Sequence, residues 1–242
     1  MRNMDSIRPR HWVMVALIAF SQNVFAGPGG HFMTTMFDSF WGKILLVALV
    51  IIFMPLIIWN KIKLFRMERR AQSDLQYLSQ FNRNFDWLFA KGRVEACFNR
   101  VHQGWKNADL EDARHWMTDW YCQNQQKMVL DDWQAKGLEN VCQVKEINNI
   151  RLIGVMNRNH DQDNEDSVLV VKINAEMQDY LQNKSTGEVV EGSKEYKNIG
   201  NIWVFRLVQG HWLVDRVDPA PSLIPYINLL MKEPDVRSTV SA

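Results

Sequence analysis

Polar and apolar positions along the chain fall into three regimes. A short apolar run spans Trp12 to Phe20, a longer one spans Phe40 to Trp59 through ILLVALVIIFMPLIIW, and everything beyond is periodic rather than continuously apolar. The second run has roughly the 20 residues that cross a ~30 Å hydrocarbon layer, so it predicts one transmembrane helix over 40–59. After a mixed-charge stretch, Val94, Cys97, Phe98, Val101 and Trp105 recur at the helical period and predict a helix over Val94 to Trp105. Leu110, Ala113, Met117, Trp120 and Tyr121 predict a second helix, with Asp109 as its N-cap and Glu111 and Asp112 in its first turn. Met128, Val129 and Trp133 mark a third, closed by Gly137 as a C′ residue.

From Val141 the period changes to two. Leu169, Val171, Ile173, Ala175 and Met177 alternate with Lys172, Asn174, Glu176 and Gln178, although Val168 and Val170 begin the polar face with apolar residues. A strand over about Glu146 to Met156 precedes this one. Tyr196 to Leu207 and His211 to Val217 follow as a hairpin about Gln209 and Gly210. Helices followed by a run of strands predict an α+β domain, a curved antiparallel sheet with helices packed on one face.

The flanks of the apolar runs set the expected topology. Arg2, Arg8 and Arg10 precede the first run and Val24-Phe25-Ala26 ends it, which reads as a signal peptide or signal anchor over 1–26. A short external segment, 27–39, follows. Trp41 and Trp59 sit where interfacial aromatics anchor a span, Lys43 can snorkel outward, and Pro55 lies near one end where a kink is tolerated. Lys61, Lys63, Arg66, Arg69 and Arg70 follow the span, whereas residues 27–40 carry no Lys or Arg. Positive charge stays inside, so the soluble part is expected on the cytoplasmic face, with the basic stalk 60–79 also offered to anionic lipid headgroups.

The formal net charge of +1 hides this asymmetry, because the basic stalk offsets a mildly acidic remainder. No basic stripe interleaved with aromatics marks the globular part, so no nucleic-acid partner is expected. Cys97, Cys122 and Cys142 form an odd set without C-x-x-C spacing and read as small buried hydrophobes in a reducing compartment. The roughly 170 residues beyond the span suffice for one domain with its own core. The tail 233–242 is polar and expected to be flexible.

Reactive chemistry is sparse. His102, His115 and His211 fall on separate elements without metal-ligand spacing, so neither a metal nor another cofactor is expected. His102 lies off the main apolar stripe and reads as a solvated surface histidine. Asp161, Asp163, Glu165 and Asp166 lack the glycine and the terminal glutamate of a calcium loop. Asp179, Tyr180 and Tyr196 are the groups an isomerase would need, but nothing in the sequence brings them together. Ten tryptophans are many for a chain of this size. Trp105, Trp116, Trp120, Trp203 and Trp212 either line an apolar pocket or fill the core; Trp105, Trp120 and Trp203 favour the core, and Trp116, at the margin of its stripe, a contact surface.

The string VEACFNRVHQGWKNADLEDARHWMTDWYCQNQQKM, the passage LENVCQVKEINNIRLIGV and the closing NIWVFRLVQGHWLVDRV together resemble the C-terminal domain of the mitochondrial inner-membrane translocase subunit Tim44 and its bacterial membrane-anchored relatives. The resemblance covers residues 80–232 and rests on W-x-N-x-D-L-E after the first helix and on a W-x-F hairpin ending in W-L-V-D. It implies a cone-shaped fold of the nuclear transport factor two type with a deep apolar pocket. It also implies a non-enzymatic binding module at a bacterial inner membrane, acting in protein translocation or membrane-protein assembly. Membrane lipids and a membrane protein of unspecified identity are the partners so implied, with a second copy of the chain left open. This sequence carries its own span and lacks the long charged region that contacts a chaperone in the mitochondrial relative, so that contact does not carry over. Secretion-complex subunits with one span and a similar domain on the outer side of the membrane, and isomerases of the same fold, are the alternatives.

Overall fold

The computed structural model describes residues 40–158 and 163–240. The signal-like and external segments, part of the acidic loop and the last two residues lie outside the described residues. Two compact units divide the chain, one up to Asn60 and one from Lys61. Helix α1 (Phe40–Leu78) begins in the first unit, where its residues are long and apolar enough to cross a membrane and are exposed almost throughout. Pro55 lies inside this helix.

In the second unit the same helix becomes amphipathic: Met67, Ala71, Leu75 and Leu78, at steps of four, four and three, are buried. Asp86 then caps α2 (Trp87–Asn107), its side chain accepting from the Phe89 N–H at 3.0 Å. The expected second helix does not form over 110–118. The Asp109 carboxylate accepts from the Glu111 N–H at 2.9 Å, turning the chain instead of starting a helix, and a 3-10 turn covers Arg114–Trp116. Met117 then pairs with Val214 of the sheet, and Thr118 caps the short α3 (Asp119–Gln125). The apolar spacing of Leu110, Ala113 and Met117 was genuine, since all three are buried, but the chain uses it to cover a strand edge. A π-helical turn, Gln126–Leu130, leads into α4 (Asp131–Ala135), and Gly137 takes positive φ beyond it.

Strands β1 (Leu138–Met156), β2 (Val168–Asn183), β3 (Val189–Val208) and β4 (His211–Pro219) form an antiparallel sheet in sequence order. The β3–β4 turn is Gln209-Gly210, both at positive φ, as a two-residue hairpin demands. β1 and β3 begin earlier than the alternation suggests: the first half of β3 is mostly exposed, and that of β1 is mostly half-buried around Cys142, so neither shows a clean alternation of buried and exposed positions. The expected core face of β2 is buried throughout and packs with Trp203, Phe205, Trp212 and Val214 against Val94, Cys97, Phe98 and Val101 of α2. Full burial of each such large side chain is worth about 2–3 kcal/mol.

Helices do not keep to one face. A second cluster joins Ile153, Val170 and Ile202 on the opposite side of the sheet to Met67 of α1 and to Ile227 and Leu230 of α5 (Leu223–Leu230). This explains the apolar start of the polar face of β2. Gly154 permits the contact: a Cβ there would lie 2.5 Å from Leu230 Cδ1. The expected flexible tail also docks in part, with Val236 buried and Arg237 within 3.7 Å of Asp74 and 5.2 Å of the Tyr77 ring.

Candidate functional site

The interior between α2 and the sheet is filled with rings. Phe98 and Trp203 stand 5.1 Å apart, His102 and Trp203 5.5 Å, and Trp105 and Trp203 6.1 Å. His102 is therefore a core residue, 4% exposed, and not a solvated one. It follows Phe98 by one helical turn, so the buried stripe of α2 is one residue wider than its aliphatic members show. Its Nδ1 lies 2.8 Å from the Phe98 carbonyl, and burial pulls its pKa down to about 4. His102 also borders a small cleft of about 320 Å³ with Asn99, Lys106 and Cys142. Burial likewise raises the Cys97 and Cys142 thiols to about 12, and the Cys122 thiol is raised as well, leaving three buried and unreactive free cysteines.

A larger groove, of about 1090 Å³, opens where the β3–β4 turn faces the segment 114–120. Four guanidinium groups line it, from Arg93 of α2, Arg114, Arg206 of β3 and Arg216 of β4, together with His115 and His211. Arg93 is hydrogen-bonded to backbone: Nε donates to the Trp212 carbonyl at 3.1 Å and an Nη to the His115 carbonyl at 3.2 Å. Its guanidinium lies 4.0 Å from the centre of the Trp116 ring, with that of Arg100 5.7 Å away. Arg114 pairs with Asp119 at 3.3 Å, and Arg206 bridges Asp166 at 3.4 Å and Asp215 at 3.3 Å. Among the described residues, Arg93 and Arg216 have no carboxylate within ion-pair distance, although Arg216 shares a side-chain hydrogen bond with Tyr226. Trp120, 61% exposed, closes the lining.

The five tryptophans thus separate. Trp203 and Trp212 are core residues, Trp105 is half-buried beside them, Trp116 is half-buried under arginines, and Trp120, expected inside, lies at the groove. Trp212 donates its indole N–H to the Asn84 carbonyl at 2.7 Å, whereas the indole nitrogens of Trp105 and Trp203 are buried without a partner among the described residues. The groove arginines were missed because they come from three stretches of chain, each reading alone as a solvated charge.

The basic cluster separates too. Lys63 donates to Asn228 at 2.5 Å, and Arg70 pairs with Asp74 at 3.4 Å and reaches the Glu233 carbonyl. Lys61, Arg66 and Arg69 are exposed and, among the described residues, have no carboxylate partner; Arg69 lies 4.6 Å from the Phe65 ring centre. In the first unit, Trp41 and Trp59 are both exposed near the ends of the apolar run.

Asp179, Tyr180 and Tyr196 do not converge. Burial and then Glu191 raise the Asp179 carboxyl, although its residue is exposed at the surface. Tyr180 faces Lys194 at 5.7 Å and Tyr196 faces Lys145 at 5.9 Å. Among the described residues, no group of three or more His, Cys, Asp or Glu is placed to hold a metal.

No curated protein sequence matches the chain. Among solved structures, the intermembrane space region of the chloroplast protein ARC6 is similar at 8% identity with a TM-score of 0.36, over 52% of this chain and 92% of that one. That score adds nothing to the fold described above. The family comparison is decisive: the Tim44-like domain matches residues 72–218, from the amphipathic part of α1 to the end of β4. The chain belongs to the Tim44-like domain family.

Proposed function

We propose that this protein is a membrane-anchored, non-catalytic binding module whose domain works against the cytoplasmic surface of the membrane it is tethered to. Tim44-like domains are associated with membrane-related protein translocation or envelope complexes and are generally binding modules. One observation carries the reading. Beyond the span, Ile62 and Phe65 of α1 and Ile224, Leu229 and Met231 in and after α5 are all exposed, and the Lys63–Asn228 bond holds the two segments side by side. The cations Lys61, Arg66 and Arg69 accompany them. Exposed apolar side chains accompanied by cations are the composition of a surface that sinks into a headgroup layer. Three free cations near an anionic leaflet contribute about 3 kcal/mol together. The same charges favour the cytoplasmic side for the domain.

The test uses the full chain in nanodiscs containing anionic lipid, with a fluorophore on Ile224→Cys and, as a reference, on Val190→Cys in the exposed start of β3. Lipids carrying a nitroxide near the headgroup are expected to quench the first and spare the second. Arg66→Glu with Arg69→Glu is expected to abolish that difference. Equal quenching at both positions, or a difference that survives the charge reversal, would refute membrane docking by this surface.

A further inference from the structure

We propose that the arginine-lined groove at the β3–β4 turn receives an acidic, partly apolar segment of a partner protein. This deepens the binding-module reading and rests on it, by naming where the partner sits and what its chemistry is. Charge complementarity is the first argument. Of the four guanidinium groups, those of Arg114 and Arg206 are already neutralised by Asp119, Asp166 and Asp215, while Arg93 and Arg216 have no carboxylate among the described residues. Arg93 is fixed by two carbonyls and by the Trp116 ring, so its charge is held in place before any ligand arrives.

The shape and the mixture of charges argue for a peptide. A volume of about 1090 Å³ is far more than a lone phosphate or carboxylate occupies. With Arg114 and Arg206 already paired, only two guanidinium groups are left for a ligand, which suits a few spaced carboxylates rather than the continuous phosphate backbone of a nucleic acid. Trp120, exposed, and Leu213, half-buried, supply apolar surface between the charges, and an exposed tryptophan beside arginines is the composition of an interface centre. Carboxylates would therefore meet Arg93 and Arg216, and an apolar side chain would cover Trp120.

The experiment uses the full chain in uncharged detergent micelles and fluorescence anisotropy. The probes are labelled twelve-residue peptides in which Glu and Asp alternate with Leu, Phe and Tyr, and a matched set with Lys and Arg in place of the acids. The acidic set is expected to bind more tightly, with affinity falling as salt rises from about 50 to 500 mM. Arg216→Glu and Trp120→Ala, both at exposed positions, are each expected to weaken it at least tenfold. Lys197→Glu, the same charge change on an exposed part of β3, is expected to leave it unchanged. No preference for the acidic set, an equal loss with Lys197→Glu, or no loss with either groove variant would overturn the proposal. So would a single-stranded oligonucleotide that bound more tightly with the same sensitivity to the groove variants. Because no anionic lipid is present, failure here leaves the nitroxide-quenching result standing, and failure of membrane docking leaves this binding measurable.

Discussion

Acidification from pH 7 to pH 4 is expected to destabilise the second unit through His102. The imidazole is 4% exposed, and Phe98, Trp105 and Trp203 all lie within 5.5 Å of it, centroid to centroid. Burial dominates the opposing hydrogen bond to the Phe98 carbonyl and lowers its pKa from 6.5 to about 4. Below 6.5 the unfolded chain takes up a proton at this residue that the folded chain refuses until about pH 4. The unfolded state therefore binds more protons in this window, and stability falls as pH falls. Linkage gives a loss of about 2 kcal/mol at pH 5 and about 3 kcal/mol at pH 4, relative to pH 7.

Urea unfolding of the full chain in mild detergent, followed by tryptophan fluorescence, measures this at each pH. The comparison is with His102→Gln, which does not titrate. Subtracting the two curves removes the other groups, notably Asp74 and Asp179, whose raised carboxyl pKa values act in the opposite direction and favour the fold as pH falls. Wild type is expected to lose its 2–3 kcal/mol relative to the variant between about pH 6.5 and pH 4. A gap between them that stays constant over that range would show that His102 is accessible or already paired, and would refute the reasoning.

Two further perturbations probe the packing. Gly154→Ala puts a methyl 2.5 Å from Leu230 Cδ1, so it is expected to cost about 1–3 kcal/mol in the same urea assay and to speed amide exchange in α5; unchanged exchange would count against the contact. Trp212→Phe removes the 2.7 Å bond to Asn84, whereas Trp203→Phe removes an indole nitrogen with no partner among the described residues. The first is expected to be the more costly by about 1 kcal/mol, and equal costs would contradict the assignment of hydrogen bonds.

How much of this was legible depended on whether a residue's signal was periodic. Leu169 to Met177 of β2 could be read directly because burial on one face leaves a repeat in the sequence, the β3–β4 turn because Gln209-Gly210 interrupts it, and the run through Ile51 as a helix long and apolar enough to cross a membrane because it is continuously apolar. The helix expected from Leu110 failed for the opposite reason: its spacing was helical, but Asp109 bound the next turn locally and Met117 was drawn to the edge of β4. His102 was misread because a polar residue one turn from Phe98 looks like the margin of the stripe until the rings of Trp105 and Trp203 close over it. The groove left no repeat at all. Arg93 and Arg216 are far apart in the chain, and only the antiparallel return of β4 beside α2 brings them to one cavity.

Helix α5 joins folding to the proposed membrane contact and lets the two be separated. A helix of eight residues is not stable alone, so α5 exists because Ile227 and Leu230 are buried against the sheet. Those two positions, with the hydrogen bond from Tyr226 to Asp218 and that from Lys63 to Asn228, attach it to the rest of the unit. They do not account for Ile224 and Leu229, which are exposed although polar residues would serve the fold equally well. Ile224→Ser with Leu229→Ser is therefore expected to change unfolding stability by no more than about 0.5 kcal/mol. The same pair is expected to abolish quenching of a fluorophore placed on Met231→Cys by nitroxide lipids. A large stability loss would assign these side chains to the core. Undiminished quenching would mean that the domain reaches the membrane by another surface, and only loss of quenching without loss of stability fits an apolar face kept for the bilayer.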